Sequence, residues 1–151
     1  MALASAYVKN KRWDAEEAMV MCAYKQRHGP AAYDLGIKAD LRKNFAAVLE
    51  YQQAGTKFGD KCSAAALMFI FDPEEWNSGD KQEQTAFKEL NILPDPDRKS
   101  RYKEIFRALD INSDLKLNRL DLVLPLPPAE LPAWNGIQDA IEPEPDGPPS
   151  Y

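Results

Sequence analysis

The chain has 151 residues, 44% of them hydrophobic and 28% charged, which is the balance of an ordinary globular domain. Its net charge is −5, and because the first 124 residues hold 19 acidic and 19 basic side chains, the body of the chain has no net positive charge to attract nucleic acid. The longest apolar run covers only residues 64–71, too short for a bilayer, so we expect neither a nucleic-acid partner nor membrane insertion.

The first helical signal follows an N-terminal arm, residues 1–12. Asp14 and Glu17 have the spacing of a capping box, and apolar residues then recur at helical intervals. We interpret Gly29-Pro30 as the end of this helix. A second helix is predicted over Asp40–Ala54.

Three further helices are predicted downstream. Lys61–Phe71 is apolar on nearly every side, which indicates a central buried helix that stops at Asp72-Pro73. A capping box opens a short helix at Asp80, and Arg98–Leu109 shows apolar residues at helical spacing. Since no segment alternates with period two, we expect an all-α fold.

Cys22 and Cys62 fall in these predicted segments and match no redox or metal motif. Two such thiols are typical of a reducing compartment. We therefore expect a cytoplasmic protein, with a cytoskeletal or an organellar location as the alternatives.

The composition changes at Pro125. Eight of the twelve prolines and five acidic residues lie in residues 125–151, which contain no lysine or arginine. This number of prolines is incompatible with a long helix or a central strand. We therefore predict an extended C-terminal arm (residues 125–151). Because a disordered spacer needs no bulky apolar side chains, we expect four of them to lie in a groove of this chain or of a partner: Leu126, Leu131, Trp134 and Ile137.

The arm ends in Pro148-Pro149-Ser150-Tyr151, which resembles the Pro-Pro-x-Tyr ligands of WW domains. A proline pair is already extended, so it loses little entropy when it docks. We therefore add Pro148, Pro149 and Tyr151 to the predicted partner-binding residues.

Residues 103–122 read KEIFRALDINSDLKLNRLDL, and oxygen-bearing side chains recur in them at the spacing of a calcium loop. Calcium prefers about six to eight oxygen ligands, which alternate residues of a tight loop supply. The segment resembles the EF-hand, the helix-loop-helix of the calmodulin superfamily. The resemblance implies calcium ligands at six positions: Asp110, Asn112, Asp114, Lys116 (through its backbone carbonyl), Asn118 and Asp121.

Two departures from the family pattern weaken the implied site. Leu115 replaces the glycine of the sharp turn, at a cost of about 1–2 kcal/mol, and Asp121 is shorter than the usual bidentate glutamate. A joint loss of about 3 kcal/mol is roughly a hundredfold in affinity, so we expect calcium binding to be weak or lost. The alternative is an ordinary turn between helices, where Asp, Asn and Ser are also common because they bond nearby backbone groups.

EF-hands usually occur in pairs, and a second acidic residue lies at a suitable distance. Asp72 is 38 residues before Asp110, between a buried helix and a capped one. Residues 61–92 are therefore predicted to be a degenerate partner of the hand at 98–124. The two would form an EF-hand-like unit, 61–124, within a helical domain, 13–124.

No enzymatic motif accompanies these features. His28 is the only histidine, and the sequence contains no Gly-rich phosphate loop or nucleophile–base set. We expect a non-catalytic adaptor or regulatory protein that binds a protein partner. The alternatives are a structural accessory subunit of a large assembly, held by the C-terminal arm, and, with less support, a small enzyme.

Overall fold

The computed structural model describes residues 2–143 and 147, with side chains from Arg12 onward, and over this part of the chain it contains helices and no strand. The predicted all-α fold is therefore confirmed. Eight α-helices and one 3₁₀ turn follow one another in the described residues: α1 (Ala2–Lys25), α2 (Gly29–Leu41), α3 (Phe45–Lys57), α4 (Lys61–Ile70), α5 (Pro73–Ser78), α6 (Lys81–Glu89), α7 (Pro96–Ile111), α8 (Leu120–Val123) and the 3₁₀ turn (Ile137–Ala140).

Three-residue turns of the same geometry connect the first four helices. Their middle residues, Arg27, Lys43 and Gly59, have φ values of 63°, 56° and 94°, which lie in the left-handed region. Each of these helices packs on the one before it and α2 also contacts α4, so α1 to α4 form one helical array. In every turn one backbone N–H donates to the carbonyl five residues earlier, the bond that closes a Schellman motif: His28 to Ala23 (3.1 Å), Asn44 to Ala39 (2.9 Å) and Asp60 to Gly55 (2.9 Å).

The turn around Lys43 corrects the predicted helix over Asp40–Ala54. Most of the predicted helix is α3, while its first two residues, Asp40 and Leu41, are the end of α2, on the other side of this lysine. A left-handed lysine costs about 1–2 kcal/mol, which the local sequence gives no reason to expect. The Schellman hydrogen bond and the packing of the two helices compensate for that cost.

Pro30 and Pro73 end helices as predicted, but each also lies in the first turn of the next helix. A proline in a first turn loses no hydrogen bond, because the N–H groups there have no partner within the helix. α2 and α5 begin in this way. The hydrophobic periodicity predicted neither the first part of α2 nor α5.

Small residues allow α2, α3 and α4 to approach closely. A Cβ atom on Gly55 of α3 would lie 2.1 Å from Ser63 Oγ of α4 and 3.3 Å from the Cβ of Ala32 on α2. A Cβ atom on Gly36 of α2 would lie 2.3 Å from Gln52 Nε2 of α3. The three helices therefore pack so closely that a Cβ atom at either position would displace a neighbouring side chain.

α7 completes the core by packing on α4. Tyr102 of α7 is fully buried, and its ring stacks on Phe71, with ring centroids 5.8 Å apart and planes inclined by 3°. Side chains from α3 onward, including the segment after α7, fill the core around this pair: Val48, Leu49, Ala64, Leu67, Ile105, Leu109, Leu117, Leu120, Leu124 and Ala140.

One buried glutamine connects three helices of this core. Tyr102 Oη donates to Gln53 Oε1 at 2.7 Å, and Gln53 Nε2 donates to the carbonyl of Leu124 at 2.9 Å and to Asp121 Oδ1 at 3.2 Å. Burial raises the pKa of Tyr102, so its hydroxyl stays protonated and remains a donor at neutral pH. α3, α7 and α8 are thus joined by hydrogen bonds inside the protein.

α1 begins at Ala2, so residues 2–12 belong to a helix and do not form the separate N-terminal arm that the sequence predicted. In the described part of the chain, no helix combines the length and the apolarity that crossing a membrane requires.

Replacing Gly55 by alanine is expected to lower the free energy of unfolding by about 1–2 kcal/mol. Overpacking between α3 and α4 costs about 1–3 kcal/mol, more than the gain of about 1 kcal/mol in helix propensity. Urea unfolding followed by circular dichroism measures the change. Ser63→Gly removes the side chain that the new Cβ meets, so the double variant should recover part of the loss. A Gly55→Ala chain as stable as the wild type contradicts the close packing.

Candidate functional site

The acidic loop, Asp110–Asp121, spans the break between α7 and α8, where the sequence places a loop between two helices. α7 ends at Ile111, and the backbone N–H of Asp114 then donates to Asn112 Oδ1 at 3.0 Å, which is an Asx turn. α8 has only four residues. The exit helix is therefore about one turn long.

Basic side chains contact three of the oxygen donors that the EF-hand resemblance assigns to calcium. In each contact, a positively charged side chain occupies the position beside the oxygen atom that the resemblance assigns to a calcium ion. The side chains come from the ends of α1 and α3 and from the start of α4: Arg27 Nη2 to Asn118 Oδ1 (2.6 Å), Lys57 Nζ to Asp121 Oδ2 (2.5 Å) and Lys61 Nζ to Asp110 Oδ1 (2.5 Å).

A fourth cation of the loop, Lys116, donates from its ammonium group to the carbonyl oxygen of Phe58 at 2.8 Å. The hydrogen bond between Lys61 and Asp110 raises the pKa of Lys61, so this lysine stays charged. Within the described residues, no three His, Cys, Asp or Glu side chains are arranged to hold a metal ion. Five positive charges in and around the loop, those of Arg27, Lys57, Lys61, Lys116 and Arg119, also oppose the entry of a calcium ion.

The acidic loop makes backbone contacts with the end of α3 and with the 3₁₀ turn, where the N–H of Arg119 donates to the carbonyl of Ala140 at 3.0 Å. The N–H of Leu117 donates to the carbonyl of Lys57 at 2.9 Å, and the Leu117 side chain is fully buried. A Cβ atom on Gly59 would lie 2.4 Å from the carbonyl oxygen of Leu115. The glycine in the α3–α4 turn is therefore required by the loop that packs on it as well as by its positive φ.

Asp72, the acidic residue of the predicted partner hand at 61–92, contacts the end of α7 that is opposite to Asp110. Asp72 Oδ2 lies 2.7 Å from the Nζ atom of Lys99, near the start of α7, whereas Asp110 lies at its end. α7 has 16 residues. At about 1.5 Å per residue, about 24 Å of helix separates its two ends. The two loops thus lie at opposite ends of α7, whereas the loops of an EF-hand pair lie side by side, and the pairing stays a prediction.

The first part of the C-terminal arm folds back on α7. Trp134 Nε1 donates to Glu104 Oε2 at 2.8 Å. A proline-rich segment offers many carbonyl oxygens and few N–H groups, so guanidinium groups, which only donate, match it well. Two arginines of α7 supply the donors: Arg98 to the carbonyls of Pro125 and Ala129, and Arg101 to those of Val123 (2.9 Å) and Pro132 (2.7 Å).

The apolar side chains of the arm that were predicted to bind a partner pack against the core of this chain. The sequence left open whether the groove belongs to this protein or to a partner, and the structure places them in this protein. These half-buried residues are Leu126, Leu131, Trp134 and Ile137. The other predicted partner-binding residues, Pro148, Pro149 and Tyr151, lie outside the described residues.

An aromatic cleft opens between the end of α4 and helices α5 and α6. Phe69, Trp76 and Phe87 line it, and its volume is about 210 Å³. Trp76 is held by a hydrogen bond from its Nε1 to the carbonyl of Ile70 at 2.7 Å, and its ring centroid lies 6.3 Å from that of Phe87. Phe69 is 50% exposed, so apolar surface faces solvent here.

Three carboxylates, Glu75, Asp80 and Glu83, also line the aromatic cleft. Asp80 caps α6 by accepting a hydrogen bond from the N–H of Gln82 at 2.8 Å. Over the described residues, none of the three has a basic side chain within 4.0 Å. The cleft therefore combines apolar rings with negative charge.

Sequence reasoning does not find this cleft. It predicts that the helix over Lys61–Phe71 is buried on nearly every side, but Phe69 is half exposed because α5 and α6 leave the cleft open. In the sequence, Trp76 lies in the predicted partner hand at 61–92, where a tryptophan does not fit a calcium loop and gives no sign of a cleft. The available signal was a tryptophan and a phenylalanine on two short helices that both begin at a capping aspartate and carry further acidic residues.

Asp72 anchors α5, the helix that carries Trp76. Its Oδ1 accepts the N–H of Glu74 at 3.0 Å, and its Oδ2 is 2.7 Å from Lys99 Nζ. The hydrogen bond from Lys99 lowers the pKa of Asp72 below its ordinary value of 3.8. Because the pKa is lower in the folded than in the unfolded chain, the contribution of Asp72 to stability is complete at neutral pH and is lost as the pH falls through the folded-state pKa.

Asp72→Asn keeps a side chain that can cap α5 but removes the charge that pairs with Lys99. We expect it to lower stability at pH 7. The difference from the wild type should begin to shrink near pH about 4, where the carboxyl of the unfolded chain takes up a proton, and should vanish only below the lower folded-state pKa. Urea unfolding at pH 7, 5 and 3 measures this, with the exposed Asp34→Asn as the control. An equal loss at pH 3 and at pH 7 would show that capping, and not the charge, is responsible.

Comparison with protein families gives a match over residues 63–148, to the family described as domain of unknown function DUF6396. Comparisons with curated proteins and with solved structures gave no significant match. The matched region begins within α4 and includes both the aromatic cleft and the acidic loop. Because the match covers more than half of the 151 residues, the chain belongs to the DUF6396 family.

Proposed function

We propose that the protein is a non-catalytic adaptor that binds a protein partner through the aromatic cleft. The observation that carries this proposal is the exposure of Phe69 beside the rings of Trp76 and Phe87. Aromatic side chains in pockets that exclude water supply much of the binding energy at protein interfaces. A preformed cleft of this kind costs little conformational entropy when a partner side chain enters it.

The chemistry of the cleft supports binding over catalysis. The described residues that line it are aromatic, aliphatic, carboxylate and amide side chains and one glycine, with no histidine, cysteine or serine among them. A nucleophile with an adjacent base, the usual arrangement for acyl transfer, is thus missing from the lining. The cleft is suited to holding a ligand.

The acidic loop, in this proposal, connects helices and does not sense calcium. Lys57 and Lys61 neutralise the two aspartates at its ends, and the α3–α4 turn packs on its backbone. Adaptor activity would then be independent of calcium. An EF-hand origin of the loop stays a prediction that these contacts leave open.

The alternative of a structural subunit held by its C-terminal arm has less support. The apolar arm residues from Leu126 to Ile137 already pack on this chain, and Arg98 and Arg101 bind the arm's carbonyl groups. A partner would have to displace these contacts before it could use the same side chains.

Peptides selected from a random displayed library on the wild-type chain are expected to bind at the aromatic cleft. Phe69→Ala should weaken their binding at least tenfold, because it removes the exposed ring while α4 keeps its buried face. Fluorescence anisotropy with labelled peptides gives the affinities. Ile111→Ala is the matched control, since Ile111 is 87% exposed but far along the chain from the cleft. If no peptide is selected, or if all bind both variants equally, the proposal fails.

The melting temperature of the wild type is expected to be the same in EDTA and in excess calcium. A site with a Kd a hundredfold below the calcium concentration would stabilise the fold by about 2.7 kcal/mol. That corresponds to a shift of roughly 5–10 °C for a chain of this size, which calorimetry detects easily. The double variant Lys57→Met and Lys61→Met should melt lower in both solutions. A calcium-dependent rise in the wild type would show that the loop does bind the ion.

A further inference from the structure

The size of the aromatic cleft restricts what it can bind. Its volume of about 210 Å³ is smaller than the roughly 300–1,000 Å³ of small-molecule and cofactor pockets. A space of this size takes one or two amino-acid side chains. The apolar rings that line it require that the entering side chain be a bulky apolar one.

The charge of the cleft restricts what surrounds that side chain. Glu75, Asp80 and Glu83 all line it, whereas Lys81 and Lys88 of the neighbouring α6 do not. Lys99 of α7 acts on Glu75 at longer range, but its ammonium group pairs with Asp72 at 2.7 Å. An acidic ligand would therefore be repelled. So would the phosphates of nucleic acids and of anionic lipid headgroups.

The same charge attracts basic groups. Lysine and arginine side chains next to the inserted residue would reach Glu75 and Glu83, which have no basic partner within 4.0 Å in the described structure. The half-exposed ring of Phe69 adds a second attraction, because an aromatic face binds cations. Charge and aromatic surface thus favour the same class of ligand.

We infer that the partner docks through a basic polypeptide segment, which inserts one bulky apolar side chain between Phe69, Trp76 and Phe87 and places lysine or arginine residues against Glu75 and Glu83. This inference rests on the aromatic cleft being the docking site. It adds the chemical class of the partner.

Four synthetic peptides of equal length test the charge. The first carries a leucine flanked by lysines, the second replaces the lysines by glutamine, the third replaces them by glutamate, and the fourth keeps the lysines and replaces the leucine by alanine. The lysine–leucine peptide should bind at least tenfold more tightly than each of the others, measured by fluorescence anisotropy. Its affinity should fall as salt screens the exposed charges.

The double variant Glu75→Gln and Glu83→Gln should lose at least tenfold in affinity for the lysine–leucine peptide and should bind the glutamine peptide as the wild type does. Glu50→Gln with Glu89→Gln is the matched control, because these exposed glutamates do not line the cleft. If the lysine and glutamine peptides bind the wild type equally, and both lose affinity in Phe69→Ala, the inference about charge is wrong but the aromatic cleft remains the docking site. If the selected peptides bind Phe69→Ala as tightly as they bind the wild type, the aromatic cleft is not the docking site.

A second copy of this chain is the competing occupant. Analytical ultracentrifugation of the wild type and of the double variant decides between the two. A monomeric wild type that binds the lysine–leucine peptide supports a separate partner. A wild-type dimer that the glutamine substitutions dissociate would overturn it in favour of self-association.

Discussion

The buried hydrogen bonds of Gln53 fix how α7 and α8 pack on α3. Gln53 is on α3, and its amide joins Tyr102 of α7 to Leu124 and Asp121 at α8. A buried amide without partners is costly, so these hydrogen bonds favour the register of α7 and α8 on α3 in which all of them form. That register also sets the Lys57–Asp121 ion pair and thereby the position of the acidic loop.

The acidic loop shows how a chain can stabilise a turn of this kind with its own cations. An ammonium group attached to the protein is always present, so the contact between Lys61 and Asp110 does not depend on an ion concentration. The pair is exposed and contributes little individually. Its effect adds to the backbone bond between Leu117 and Lys57, which is shielded by a buried leucine.

The sequence predicts the helical class, the capped start at Asp80, the helix that begins near Arg98 and the break after α7, because local capping and periodicity determine these features. It does not predict the left-handed turn at Lys43, which only the packing of α2 on α3 makes favourable. The aromatic cleft is missed for a similar reason. Nothing local to Phe69 shows that two short helices leave it half exposed, and the spacing of Asp72 and Asp110 carries no information about which end of α7 each contacts.

The helices α1 to α4 differ in how many partners they have. α1 packs chiefly on α2, whereas α4 packs on α7 and α3 is hydrogen-bonded to Tyr102 of α7 and Leu124 at the end of α8. Local opening of an element costs in proportion to the contacts that it breaks. Amide protons in α1 should therefore exchange with solvent when that helix alone opens. Those in α3 and α7 should exchange only when the whole chain unfolds. α1 then behaves as a cooperative unit of its own, while α2 stays with α3, on which it packs most extensively.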